Sequence, residues 1–162
     1  MKKVILFAFA PLLVSTHVEE PIKVSYEEVI IKLEPKDVPV VVPERDLVSA
    51  LILVESRGND SAIGDRHLVG NEAVGALQIR PIMVREVNRI LKIQKSDKRY
   101  KLKDRFDREK TIEMFMIWKN FHHKDSDFEK IARNWNGGPS GYKKGRTEKY
   151  WVKVQKELGY AS

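Results

Sequence analysis

Glu55 is the residue whose position in this chain most clearly suggests chemistry. It lies four residues after Leu51 and eight after Leu47, so the period of an α-helix places it on the apolar face. A carboxyl group on such a face is poorly solvated, which disfavours its charged form and raises its pKa. A carboxylic acid that stays protonated near neutral pH can protonate a glycosidic oxygen. Periodicity alone leaves a second interpretation equally open, in which Glu55 ends its helix and points into solvent.

A second carboxylate would decide which kind of glycoside cleavage Glu55 supports. Hydrolysis with inversion needs a partner about 6.5–9.5 Å away to activate water, whereas attack by the sugar's own hydroxyl group needs none. Asp65 and Glu72 are the candidates, because both lie in the loop that follows the Glu55 helix. Asp60 is also in this loop but fits a turn. The sequence leaves both reaction types open, and one glutamate suffices for the second.

The region that must hold Glu55 in place is predicted to be a series of helices from Glu44 onward. The Glu55 helix ends at Arg57-Gly58-Asn59, where a glycine lets the chain turn. Residues that start or cap helices precede four more: Pro81, Asp107, Ser126 with Glu129 at capping-box spacing, and Thr147. The helix after Pro81 has a predicted apolar side of Ile82, Val84, Val87, Ile90 and Leu91. The predicted fold class is therefore all-α.

Residues 1–15 have the layout of a secretory signal peptide. Lys2 and Lys3 supply the positive end, and the apolar stretch that follows is too short to span a bilayer as a finished helix. An uncut membrane anchor and an ordinary buried helix are the alternatives. Residues 16–43 are rich in proline and valine, which predicts an extended tether. We therefore expect export to the periplasm or the cell exterior, with residues 44–160 as the folded domain and the signal segment as the sole membrane contact.

The composition limits the classes of function. A chain of 162 residues suffices for one domain with a core. The absence of cysteine excludes a disulfide scaffold, a thiol nucleophile and a zinc-thiolate site. The net charge of +7 suits polyanions, which include nucleic acids and the anionic bacterial envelope. No run of Lys or Arg resembles a nucleic-acid-binding tail, and the basic residues between 95 and 105 are predicted to form a solvated face.

His122 and His123 raise the question of a metal site. Adjacent side chains on a helix point in different directions, so such a pair rarely shares an ion without other ligands. No carboxylate-rich motif accompanies these two histidines. We expect them to form a solvated pair at a helix end, and we expect neither a metal nor a cofactor.

Four motifs follow one another in an order that identifies a family. They are Glu55-Ser56, Gly75-Ala76-Leu77-Gln78-Ile79, Asn134-Trp135-Asn136-Gly137-Gly138, and Tyr150 in the last predicted helix. This order resembles the soluble lytic transglycosylases and their goose-type lysozyme relatives, and the resemblance extends from about Asp46 to Leu158. Each motif alone is weak, but four in the right order are specific.

The resemblance implies a lysozyme-like fold and cleavage of the β-1,4 bond between N-acetylmuramic acid and N-acetylglucosamine in peptidoglycan, by a monomer. It implies that Glu55 is a general acid that then acts as a base, and that Tyr150 hydrogen-bonds near it. It further implies that Ser56 and Gln78 orient the sugar amides or the glutamate.

The chain departs from the family pattern at three places. Leu77 stands where the family usually has methionine, Trp135 where it usually has tyrosine, and the insertion Arg66–Ala73 lengthens the loop after the Glu55 helix. Both substitutions keep an apolar or aromatic wall for a sugar. Trp135 beside Asn136 combines an aromatic face with a directed polar group, the usual means of binding saccharides. The competing interpretation for Trp135 and Tyr150 is core packing, the commoner environment of such residues.

Three other functions remain as alternatives. One is a goose-type muramidase that hydrolyses the same bond with a second carboxylate. Another is a catalytically silent wall-binding or virion structural domain of the same fold. The sequence leaves open whether the chain comes from a bacterium or a phage. The third, a basic DNA-binding helical protein, is disfavoured by the export signal and by aromatic residues in glycine-rich loops.

Overall fold

A computed structural model describes residues 44–160 of the chain. The predicted signal peptide, residues 1–15, and the predicted tether, residues 16–43, lie outside the described residues. Within the described range the chain forms five α-helices: α1 Glu44–Ser56, α2 Pro81–Ile93, α3 Arg108–His122, α4 Phe128–Gly137 and α5 Glu148–Glu157. Three short 3-10 segments connect them: Leu102–Phe106, Gly141–Lys143 and Gly145–Thr147. The prediction of a mainly helical fold is confirmed.

A small antiparallel hairpin between α1 and α2 was not predicted by the all-α assignment. It consists of β1, Ile63–Gly64, and β2, Ala73–Val74. The chain then turns back so that Val74 and Ile79 exchange two backbone hydrogen bonds, of 3.1 and 2.9 Å. Strands of two residues are too short to show the alternation by which strands are recognised in a sequence.

The core explains why Glu55 lies where it does. Leu47 and Leu51 of α1 are fully buried against a cluster that includes Phe115 of α3 and Ile131 of α4. Each such side chain contributes about 1.5–3 kcal/mol to folding by leaving water. Burial of Leu47 and Leu51 fixes which face of α1 packs against the core. Glu55 is the next residue on that face, so its side chain also points toward the interior.

Two of the predicted helix starts are confirmed. Pro81 is the first residue of α2, and Asp107 caps α3 by accepting a hydrogen bond of 3.1 Å from the backbone N–H of Lys110. The capping box predicted at Ser126 is wrong. Asp127 caps α4 instead and accepts a hydrogen bond of 2.8 Å from the Lys130 N–H, because its charged carboxylate is favoured at the positive end of a helix.

Thr147 precedes α5 but makes no capping hydrogen bond. Its buried hydroxyl group lies 2.8 Å from the Gly141 carbonyl oxygen and accepts a hydrogen bond of 3.0 Å from Arg133 Nε. This residue therefore ties the 3-10 segments to α4 rather than starting a helix.

Two predictions about the surface are also wrong. Ile82 was placed on the apolar side of α2 but is 64% exposed, and the buried side consists of Val84, Val87, Ile90 and Leu91. Arg105 was placed in a solvated basic face but is buried, since its guanidinium group donates hydrogen bonds to the carbonyl groups of Leu102, Glu72 and Ile79. In residues 44–160 there is no helix with both the length and the apolar character needed to cross a membrane.

Candidate active site

A cavity of about 750 Å³ opens beside the end of α1. Its walls come from the hairpin, the first turns of α2, the last turn of α3 and the end of α4. The volume is in the range of sites that enclose small ligands or a few sugar rings. Glu55 lines this cavity.

Glu55 and Tyr150 form the central contact of the site. The Tyr150 hydroxyl group donates a hydrogen bond of 2.7 Å to Glu55 Oε1, where α1 and α5 pack together. Burial raises the pKa of Glu55 from 4.5 to about 7, the Tyr150 hydrogen bond opposes this, and the charge of Asp65 adds to it. Burial also raises the pKa of Tyr150 well above its usual value, so its hydroxyl group stays a donor. Glu55 is thus close to half-protonated at neutral pH, as an acid that also serves as a base requires.

Asp65 lies in the same cavity as Glu55. It has a left-handed backbone with φ of +51°, a conformation that Asp adopts more readily than most residues. Its carboxylate forms a hydrogen-bonded ion pair with the guanidinium group of Arg80, the residue before α2. A second carboxylate is therefore present in the cavity, and it is paired with the guanidinium group of Arg80.

The other two loop carboxylates do not line this cavity. Glu72 lies with Arg105 in a separate and smaller pocket, and its own backbone N–H and that of Gly70 hold its pKa below the usual range. The suggestion that Glu72 is a second carboxylate of the site finds no support in this position. Asp60 pairs with Arg108 at 3.0 Å and ties the loop to the start of α3.

Gln78 reaches the cavity from the hairpin. Its backbone is left-handed, with φ of +49°, a strained conformation for a residue other than glycine that is often found at functional sites. The amide nitrogen donates a hydrogen bond of 3.0 Å to the Gly75 carbonyl group, and the amide oxygen lies so close to Gly64 that a Cβ atom there would be 2.3 Å away. The Gln78 side chain is therefore held in one orientation at the cavity wall.

Ser56 does not line the cavity. Its hydroxyl group donates a hydrogen bond of 3.2 Å to the Ile52 carbonyl group, one turn earlier in α1. The role that the family resemblance implied, of orienting a sugar or the glutamate, is not visible in this contact.

Trp135 and Asn136 line the cavity at the end of α4. The indole of Trp135 also packs edge-on against Phe115 and Trp118, with ring centroids 5.0 and 5.1 Å apart. Core packing and a place in the cavity wall are thus both true of Trp135. The neighbouring Asn134, which sequence reasoning did not single out, lines the cavity and fixes the following loop by accepting a hydrogen bond of 2.8 Å from the Tyr142 N–H.

The prediction that His122 and His123 form a solvated pair at a helix end holds for His122, which is the exposed last residue of α3, and is wrong for His123. His123 is buried against Trp118, with ring centroids 4.7 Å apart, and burial lowers its pKa. His122 Nε2 lies 2.7 Å from the carboxylate of Glu86, which also accepts hydrogen bonds from Arg89. The hydrogen bonds of Arg89 and His122 to this carboxylate lower the pKa of Glu86 to about 2. No group of three or more potential metal ligands occurs within residues 44–160.

The contact between Glu55 and Tyr150 leads to a prediction for Tyr150→Phe. Loss of the donated hydrogen bond is expected to raise the pKa of Glu55 further, because that bond stabilises the carboxylate. It is also expected to lower the free energy of unfolding by about 1 kcal/mol. The alkaline limb of a pH–activity profile should then move to higher pH. Tyr142→Phe is the matched control, since the Tyr142 ring packs against the guanidinium group of Arg133 and Tyr142 does not line the cavity. An alkaline limb that does not move in Tyr150→Phe would contradict the prediction.

The cavity brings together most of the residues that the sequence singled out. Glu55, Asp65, Gln78, Trp135 and Asn136 line it, and Tyr150 contacts Glu55. Neither the models of known protein families nor the characterised proteins compared with this chain give a match.

Proposed function

We propose that this chain is an exported peptidoglycan lytic transglycosylase with a lysozyme-like domain, similar to the soluble lytic transglycosylases. It cleaves the β-1,4 bond between N-acetylmuramic acid and N-acetylglucosamine. The observation that carries the proposal is the inward-facing Glu55 carboxyl group, whose pKa is raised to about 7 in an aromatic-walled cavity. The order of the four motifs, which the resemblance rests on, supports it further.

The reaction uses one carboxyl group twice. Glu55 first donates its proton to the bridging oxygen O4 as the bond between C1 and O4 breaks. The resulting carboxylate, stabilised by the Tyr150 hydroxyl group, then accepts the proton of the sugar's own 6-hydroxyl group as the bond between O6 and C1 forms. The products are a 1,6-anhydro end and a free 4-hydroxyl group, and no water is consumed.

The cavity walls suit a chain of amino sugars. Trp135 and Trp118 offer apolar surface, while Gln78, Asn134 and Asn136 offer amide groups for hydrogen bonds to sugar hydroxyl and acetamido groups. Glu55 is partly buried, and a desolvated carboxyl group lowers stability. This cost favours a catalyst over a silent wall-binding domain, which would have no use for such a group.

Hydrolysis of the same bond is the second candidate function, because Asp65 lines the cavity with Glu55. A carboxylate at Asp65, if it faced the opposite side of the sugar from Glu55, would activate water. The ion pair with Arg80 weighs against this role, since the guanidinium group already engages one of the two carboxylate oxygens that would have to accept a proton from water. We therefore place the transglycosylase first.

Product analysis tests the proposal. Digests of purified peptidoglycan are expected to contain 1,6-anhydro ends by mass spectrometry. Asp65→Asn is expected to retain activity to within about tenfold, far less than the ~10²–10⁴-fold loss of an acid or base catalyst, and Asn accepts the left-handed backbone. Glu72→Gln serves as the control outside the cavity. Free reducing ends together with an inactive Asp65→Asn would show the hydrolase instead, and no released product at all would refute both functions.

A further inference from the structure

Arg80 stands at the border between the cavity and the Asp65 loop. We infer that Arg80 selects the outcome of the reaction, because its guanidinium group holds the Asp65 carboxylate and so prevents Asp65 from directing water onto the sugar. This inference rests on the proposed function and concerns which nucleophile reaches C1. It makes Arg80 a positioning residue rather than a catalytic one.

The ion pair lies within the cavity wall. Arg80 and Asp65 both line the cavity that contains Glu55, and Arg80 Nη2 contacts Asp65 Oδ2. A second guanidinium nitrogen, Nη1, lies 3.5 Å from the Asn71 carbonyl oxygen. The two side chains are 39% and 38% exposed, so the pair faces the space where substrate and water enter.

A half-exposed ion pair is weak when its partners are free to move, with a median value of about 0–1 kcal/mol. Here the backbone on both sides is held in place. Arg80 follows the buried Ile79, and its carbonyl group accepts a hydrogen bond of 2.9 Å from the Met83 N–H in the first turn of α2. Asp65 follows β1 in the left-handed conformation, and its carbonyl group accepts a hydrogen bond of 2.8 Å from the Leu68 N–H. The backbones of both partners are thus fixed by their own hydrogen bonds, and the pair itself adds the modest stability of a half-exposed contact.

The two outcomes differ in the nucleophile that forms the new bond to C1 as the bond between C1 and O4 breaks. In transfer, O6 bonds to C1 and its proton goes to Glu55. In hydrolysis, a water oxygen bonds to C1, its proton goes to Asp65, and the product ends in a hydroxyl group at C1. Asp65 can take that proton only with a free oxygen that faces the attacking water. The Arg80 guanidinium group occupies Asp65 Oδ2 in a charge-assisted hydrogen bond and so fixes the orientation of the carboxylate.

The experiment measures the ratio of reducing ends to anhydro ends, in water enriched in oxygen-18 so that hydrolysis labels C1. Arg80→Met removes the cation and keeps an unbranched side chain. It is expected to raise the ratio by at least about tenfold, because a general base that is free to act typically contributes ~10²–10⁴-fold. The double variant Arg80→Met with Asp65→Asn is expected to return to the wild-type ratio. Arg80→Lys keeps a positive charge, so its ratio of reducing ends to anhydro ends is expected to stay close to that of the wild type.

Arg89→Met is the matched control. Arg89 lies on α2 and, like Arg80, forms an ion pair with a carboxylate, that of Glu86, but it does not line the cavity. It is expected to leave the ratio unchanged. If Arg80→Met does not fold, as judged by circular dichroism and melting, Arg80→Gln replaces it as the uncharged variant.

The outcomes separate this inference from the proposed function. A wild-type enzyme that makes anhydro ends, together with an unchanged ratio in the uncharged variant, overturns the role of Arg80 alone. A raised ratio that persists in the double variant also overturns it, since water then reaches C1 without Asp65. A wild-type protein that releases mainly reducing ends, or nothing, refutes the proposed transglycosylase itself.

Discussion

Glu55→Gln is expected to lower the rate of peptidoglycan cleavage by about 10²–10⁴-fold, the typical contribution of a general acid. The amide has nearly the same shape as the carboxyl group, and its oxygen can still accept the Tyr150 hydrogen bond. What it lacks is a proton that can be given to O4 and taken back. Release of soluble fragments from purified cell walls measures the effect. A variant that keeps more than about a tenth of wild-type turnover would contradict the assignment of Glu55 as the general acid.

The same variant supplies its own control for folding, through the pH dependence of stability. The pKa of Glu55 is about 7 in the folded protein against an ordinary value of 4.5. The stability that the neutral acid contributes is therefore fully present below pH 4.5, where both states hold the proton. It is lost progressively as the pH rises above 4.5, because the unfolded chain releases its proton first, and the loss is complete once the pH has risen through about 7. The loss is about 3 kcal/mol when ionisation is complete.

Gln cannot ionise, so Glu55→Gln should not show this loss. Relative to wild type, the variant is expected to melt at a similar temperature at pH 5 and at a higher temperature at pH 8. Equal melting temperatures at both pH values would contradict the raised pKa, whatever the result for activity.

Gly75→Ala is expected to have the largest effect on stability, a loss of more than about 3 kcal/mol. Gly75 follows β2 with φ of +80°, and a Cβ atom there would lie 1.8 Å from the carbonyl oxygen of Arg105. That oxygen belongs to the backbone and cannot move aside as a flexible side chain would. The hairpin would have to separate from the 3-10 segment Leu102–Phe106.

Gly70→Ala is the matched control for this prediction. Gly70 has a similar φ of +76° but no atom within 4 Å of the added Cβ position. Only the backbone conformation is penalised, at about 1 kcal/mol. Urea unfolding of both variants measures the difference. If Gly75→Ala costs no more than Gly70→Ala, the close approach between Gly75 and Arg105 does not exist in solution.

Local patterns in the sequence were sufficient for the helices and placed Glu55 in the apolar row of the first helix, although they did not by themselves exclude a side chain that points into solvent. The row of Leu47, Leu51 and Glu55 follows the α-helical period, and that period is decided within a few residues of chain. The starts of α2 at Pro81 and of α3 at Asp107 were predictable for the same reason, because a fixed φ and a side-chain cap act on the neighbouring turn. At Ser126 and Asp127 two capping residues were adjacent, and spacing alone chose the wrong one.

Contacts between distant segments decided the rest of the site. Asp65 and Glu72 were equivalent in the sequence, but pairing of β1 with β2 places Asp65 beside Arg80 in the cavity and Glu72 beside Arg105 outside it. The burial of His123 likewise depends on Trp118 and could not be read from the histidine pair. A carboxylate's neighbours in space determine its charge and its freedom to act as a base, and only the tertiary fold brings those neighbours together.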